Sequence, residues 1–224
     1  MIFFRQWRYL FLLGALLILL VIQPIVSGFG AVGWLFDVLF VFVMLILVLA
    51  FAQDKVWRVI ACILCIPAAM LSLGSHFLTS SAEAVSLTAG HVIGALFFIL
   101  VTGRIIQSIF ESKALSLDSI FGAICGYLLL GVAWGLTYGV IHAGNPESFQ
   151  FHNSIRRQME QGNYGSHVFI YYSFVTLTTV GYGDITPLST PARTLAWVEA
   201  MTGQLYLAVL IAGLISALVA KKRN

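Results

Sequence analysis

Thr178-Thr179-Val180-Gly181-Tyr182-Gly183-Asp184 decides how this chain is read. Glycine has no Cβ and enters backbone conformations with positive φ at no steric cost. A run that places Gly181 and Gly183 two apart can leave ordinary α and β geometry and line successive carbonyls along one axis. Val180 and Tyr182 then point away from that axis and pack behind it. Irregular backbone at membrane depth is tolerated only where it is buried in protein or lines a water-filled path. The run lies between a short apolar segment and a long apolar one, which places it in a loop that enters the bilayer and returns.

The composition agrees with a bilayer. Of 224 residues, 60% are hydrophobic and 9% charged, with a mean hydropathy of +0.96. A soluble domain is about 25% charged. The net charge of +3 comes from scattered Lys and Arg, with no basic run longer than Lys221-Lys222-Arg223. A nucleic-acid partner is therefore not expected.

A membrane-crossing helix needs about 20 mostly apolar residues. Candidate spans are 9–26, 34–52, 56–73, 84–103, 117–141 and 192–220. Segment 167–178 is too short to cross and reads as a re-entrant pore helix. The expected fold class is all-α integral membrane, with six transmembrane helices, a re-entrant pore helix and a filter loop. Six spans put both termini on one side. Arg5, Arg8, Lys55, Arg58, Arg104, Lys113, Lys221, Lys222 and Arg223 share one face, and Arg156, Arg157 and Arg193 the other. The positive-inside rule makes the first face cytoplasmic. Arg5, Arg8 and the apolar run 10–22 resemble a secretory signal peptide. The run is nearer a full span, however, and no clear Ala-x-Ala site follows.

Thr179-Val180-Gly181-Tyr182-Gly183 matches, residue for residue, a loop whose carbonyl rings replace the hydration shell of K⁺. On these residues the chain resembles the tetrameric potassium-channel family. The resemblance implies K⁺ coordination by Thr179, Val180, Gly181 and Tyr182, with Gly183 completing the filter. The Thr179 hydroxyl would supply the innermost oxygen layer. No cofactor is implied, and K⁺ is the permeant ion. A filter needs four such segments and this chain carries one, which implies a homotetramer. Two domains are expected. Residues 1–113 form a four-helix membrane domain, and 114–224 hold the outer helix, turret, pore helix, filter and inner helix. Small size implies a prokaryotic plasma membrane, with lipid as the surrounding partner.

The resemblance extends to the filter's surroundings. Tyr171 and Tyr172 match an aromatic cuff, with Tyr172 expected to bond Asp184 behind the filter. Thr178 precedes the filter, and Asp184-Ile185-Thr186-Pro187 matches the exit loop. Some relatives pair this Asp with a Glu, and here that position is Val175, so a Glu–Asp inactivation pair is in doubt. Gly203 lies where many relatives have a hinge, although close packing explains a glycine equally. Ser116 is expected to cap the outer helix, with Asp118 in its first turn. Gly131, Gly135 and Gly139 form a smooth helix face, expected to meet the inner helix.

Glu199 is an intramembrane carboxylate, which calls for a partner. It either braces the filter, pairs with Arg193, or senses protons. The loop 142–166 reads as a solvated turret holding His142, Glu147, His152, Arg156, Arg157 and Glu160. Cys62, Cys65 and Cys125 lie in apolar segments and read as small buried residues. The isolated polar groups Asp37, Glu83, His91 and Glu199 show no catalytic or metal spacing, and Asp37 reads as interfacial.

The fourth helix lacks a charge ladder. Arg104 is its only basic residue, and the positions at intervals of three before it are Val101, Phe98, Ala95 and Val92. Weak or absent voltage gating follows. The four-residue tail after Ala220 gives no expectation of an attached ligand-binding domain. Two other readings stay open: a regulatory or non-selective channel subunit, and a non-conducting membrane sensor or scaffold.

Overall fold

A computed structural model of the protein describes residues 8–22, 33–50, 54–78, 81–111, 117–160 and 167–223. The expectations on Arg5, Lys113 and Ser116, and on residues 23–26 and 51–52, lie outside these. The first half holds α1 (Arg8–Leu17, continuing as a π-helical turn Ile18–Ile22), α2 (Gly33–Ala50), α3 (Lys55–Ser75) and α4 (Ser81–Glu111). Asp54 caps α3 by accepting the Trp57 N–H at 3.4 Å, which satisfies one of the orphan donors of the first turn. The pore half opens with α5 (Leu117–Gly144). Among the described residues, Lys55–Ser75, Ala82–Ile109 and Leu117–Gly144 are long and apolar enough to cross a membrane.

Charged residues gather where helix ends meet. Arg8 Nε lies 3.7 Å from Asp118, and Arg8 Nη1 donates to the Ala50 carbonyl at 3.3 Å. Asp118 also accepts the Tyr9 N–H at 3.3 Å. Arg104 pairs with Asp54 at 3.6 Å and with Glu111 at 3.3 Å. Asp37 is not the isolated interfacial group that the sequence leads one to expect. It is buried, accepts the Ser72 hydroxyl, and lies 2.8 Å from His76 Nε2. Burial required partners, and α3 brings them from 35 and 39 residues away.

An apolar core joins α1 to α4 with α5 through residues such as Leu16, Phe40, Leu47, Phe98 and Leu129. Phe40 and Phe98 meet edge to face at 5.4 Å. A Cβ on Gly94 would sit 2.6 Å from the Phe40 ring, so glycine lets α2 approach α4 there.

After α5 come a 3₁₀ turn (Pro146–Ser148), β1 (Phe149–Phe151), α6 (Asn153–Glu160), α7 (His167–Leu177), β2 (Ile185–Pro187) and α8 (Thr190–Arg223). The described residues are mostly helical, with one small exception here. β1 and β2 form an antiparallel ribbon, with Phe149 opposite Pro187 and Phe151 opposite Ile185. Its cause is the alternation Phe-Gln-Phe, which buries Phe149 and Phe151 and leaves Gln150 outside. Both phenylalanines pack on Phe169, and His142 packs on all three rings. The described part of the turret, 142–160, thus includes a folded cap built on aromatic packing, rather than a wholly solvated loop.

The glycine face of α5 also differs from expectation. A Cβ on Gly131 would sit 2.7 Å from Phe174, and one on Gly135 2.7 Å from the Ile170 Cα. Both neighbours belong to α7, so the smooth face seats the pore helix, not the inner helix. A short helix that must reach the middle of the molecule needs the closest approach, and a side chain would prevent it.

Candidate functional site: the pore loop

The site is built on the carboxyl end of α7. The pore helix runs His167–Leu177, one residue shorter than the sequence reading. Its last carbonyls are capped by the filter segment itself. Thr179 N–H donates to the Thr176 carbonyl at 2.9 Å, and Val180 N–H to the Val175 carbonyl at 2.9 Å. These two bonds make the Schellman pattern, in which the residue just past the helix takes the left-handed conformation. That residue is Thr179, with φ 61°. Thr179, which the sequence leads one to expect as the first filter residue, is therefore the helix stop. Gly181 N–H adds a longer bond to the same Val175 carbonyl at 3.3 Å.

Positive φ recurs at Gly181 (58°) and Gly183 (77°), while Val180 and Tyr182 keep negative φ. Residues of alternating hand turn successive peptide groups to the same side of the chain, as they do in the concave anion-binding loops where N–H groups converge. A segment with this alternation is able to turn its carbonyls to the opposite side. The left-handed conformation at Thr179 is not legible from residue type. The helix stop that requires it shows only once the end of α7 is fixed.

The helix also contributes electrostatically. Its carboxyl end carries about half an elementary negative charge, from aligned peptide dipoles. That end lies immediately before Thr178–Gly183, so it favours a cation there.

Tyr171, not Tyr172, reaches Asp184, donating its hydroxyl to Oδ2 at 2.6 Å. The two tyrosines are a helical step apart and so face different directions. Tyr172 is buried, edge-on to Tyr138 at 4.9 Å and to Phe149 at 5.5 Å. Asp184 further accepts its neighbour Ile185 N–H at 3.1 Å, and its carbonyl accepts the His152 N–H at 2.8 Å. Asp184 thereby ties the loop to both α7 and the turret. Thr178 donates its hydroxyl to the Phe174 carbonyl at 2.5 Å.

α8 meets the loop and the end of α7 at several points. Ser189 caps α8, accepting the Ala192 N–H at 3.4 Å, and Arg193 Nε donates to the Pro187 carbonyl at 3.2 Å. Glu199 is fully buried. Its partners are not Arg193 but Tyr138, 2.6 Å from Oε2, and Ser173, 2.5 Å from Oε1. A Cβ on Gly203 would lie 2.3 Å from the Leu177 carbonyl oxygen. Glycine therefore lets α8 touch the end of the pore helix. Gln204 Nε2 donates to the Thr179 hydroxyl at 3.5 Å. Sequence reasoning passed over Gln204. Only its place next to Gly203 could have drawn attention to it.

Within one chain Val180 is 53% exposed and Tyr182 71% exposed. Their cover is not supplied by the chain that carries them. Trp197, Met201, Leu205 and Val209, spaced four apart on α8, are also exposed.

Residues 122–220 match the family described as ion channel. The matched stretch runs from the outer helix through turret, pore helix and filter to the inner helix. It covers less than half of the chain and supports ion permeation in a membrane as the activity of this half. No curated protein and no solved structure matches the chain. Among the described residues, no group of three or more His, Cys, Asp or Glu side chains is placed to hold a metal ion.

Proposed function

We propose that four copies of this chain form a potassium-selective channel, passive and without cofactor, that catalyses no reaction. The observation that carries this reading is the alternation of φ along Thr179-Val180-Gly181-Tyr182-Gly183 at the carboxyl end of a buried helix. Such a loop offers a row of carbonyls to a cation, and four around an axis replace its water. Thr179, Val180, Gly181 and Tyr182 coordinate K⁺, and the Thr179 hydroxyl forms the innermost layer.

Homotetramer assembly is supported by what one chain leaves bare. Val180, Tyr182 and the α8 stripe are apolar or aromatic and exposed, as expected of surfaces that neighbouring copies cover or that line a pore. Six spans with both termini cytoplasmic, in the plasma membrane of a prokaryote, agree with the basic residues gathered at one set of helix ends. Arg104 is held by Asp54 and Glu111, which supports a fourth helix that does not move with voltage.

Purified protein in liposomes tests the reading. K⁺ flux should exceed Na⁺ flux, and Gly181→Asp should abolish it, because φ at 181 is 58° and any side chain strains the loop there. Equal K⁺ and Na⁺ flux, or K⁺ flux surviving Gly181→Asp, would refute it.

A further inference from the structure

We infer that Glu199 is a neutral carboxylic acid that holds its proton, and that in this form it ties the outer, pore and inner helices together beside the filter. Ser173 Oγ lies 2.5 Å from Glu199 Oε1 and 2.7 Å from the Gly131 carbonyl oxygen. A serine hydroxyl has one proton to donate, and both a carbonyl and an ionised carboxylate only accept. Were Glu199 ionised, one proton would have to serve two acceptors. One oxygen would then face Ser173 at hydrogen-bond distance with no hydrogen between them.

A proton on Glu199 Oε1 removes the conflict. Glu199 donates to Ser173, Ser173 donates to the Gly131 carbonyl, and Tyr138 donates to Glu199 Oε2 at 2.6 Å. Every hydrogen then has an acceptor. The surroundings agree. The titratable groups facing Glu199 are Tyr127 and Tyr138 from α5 and Tyr172 from α7, all phenols that carry no positive charge. Arg193, on the same helix, is turned to the Pro187 carbonyl. Among the described residues Glu199 enters no ion pair, and it is fully buried. An unpaired buried carboxylate is costly, whereas a buried acid with both oxygens bonded is not.

The chain of bonds crosses three elements: α8 through Glu199, α7 through Ser173, and α5 through Tyr138 and Gly131. Glu199 is thus a positioning residue for the helix that carries the filter, a role that rests on the channel reading, whereas the proton count does not.

Infrared spectroscopy of the full chain in liposomes reads the proton directly, because the carbonyl stretch of a carboxylic acid is separate from that of a carboxylate. Wild type at neutral pH should show a carboxylic-acid band that Glu199→Gln removes. If the two spectra match in that region, the proton assignment is overturned. For positioning, Glu199→Ala should lose K⁺ over Na⁺ selectivity and lower the thermal midpoint. Glu199→Gln should restore both, since its amide N–H can donate to Ser173 and its carbonyl can accept from Tyr138. Wild-type selectivity and midpoint in Glu199→Ala would overturn the positioning role. Should Glu199→Ala fail to assemble, Ser173→Ala, which strands the acid proton, gives the same comparison. Absence of K⁺ flux from wild type would defeat the channel reading alone, and the infrared band would still decide the proton.

Discussion

Thr179 occupies a place where glycine is the usual choice. The left-handed conformation costs a non-glycine residue about 1–2 kcal/mol, and the helix-stop bonds to Thr176 and Val175 offset that cost. Glycine would be easier for the backbone but would remove the hydroxyl that Gln204 contacts. Gly203 illustrates a different constraint. Its missing Cβ leaves room for the Leu177 carbonyl, which is backbone and cannot rotate away. Gly203→Ala should therefore lower stability by about 1–3 kcal/mol, the usual cost of overpacking, and should lower K⁺ selectivity. Thermal unfolding in detergent beside flux measurement checks this. A hinge role alone would change open probability and gating rates while leaving the thermal midpoint in place.

At the scale of elements, the pore helix is held by a glycine face, an aromatic cap and a ribbon. The glycine face makes a graded prediction. Gly135→Ala forces a methyl to within 2.7 Å of the Ile170 backbone, whereas the nearest atoms to a Cβ at Gly139 lie 3.8 Å away. Gly135→Ala should destabilise by about 1–3 kcal/mol, and Gly139→Ala should be neutral or gain about 0.5–1 kcal/mol from helix propensity. Equal effects on the thermal midpoint would contradict the assignment of this face to α7. These elements also show what a sequence can carry. The pore helix and outer helix were legible because each is a continuous apolar segment with its own local pattern. The ribbon was not, since Phe149–Phe151 pairs with residues about 35 positions away, and three-residue strands have too little pattern to register. The glycine face was legible as a face, but its partner was not, because spacing names a surface and not what covers it. For the same reason Tyr172 was matched with Asp184 when Tyr171 holds it. Glu199 stood out by its charge, while Tyr138 and Ser173, 61 and 26 residues distant, gave no sign of being its partners.

At the scale of the whole molecule, α1 and α4 pack directly on α5, and α2 and α3 pack on those two helices and on each other. Arg104 is fixed between Asp54 and Glu111, and its guanidinium lies 6.0 Å over the Trp57 ring. Each elementary charge moved across the field supplies about 2.3 kcal/mol per 100 mV, so a single tethered arginine cannot drive steep opening. Open probability should vary weakly with voltage, and Arg104→Gln should leave that slope unchanged. Steep activation lost in Arg104→Gln would contradict it.

The proposed function rests on four Thr179–Gly183 loops selecting K⁺. The most direct test is the reversal potential of single channels in planar bilayers with K⁺ on one side and Na⁺ on the other. The account predicts a reversal potential that follows the K⁺ gradient, and loss of that current in Gly181→Asp. A reversal potential near zero with equal concentrations of the two ions would mean that the filter does not discriminate between them, and would contradict it.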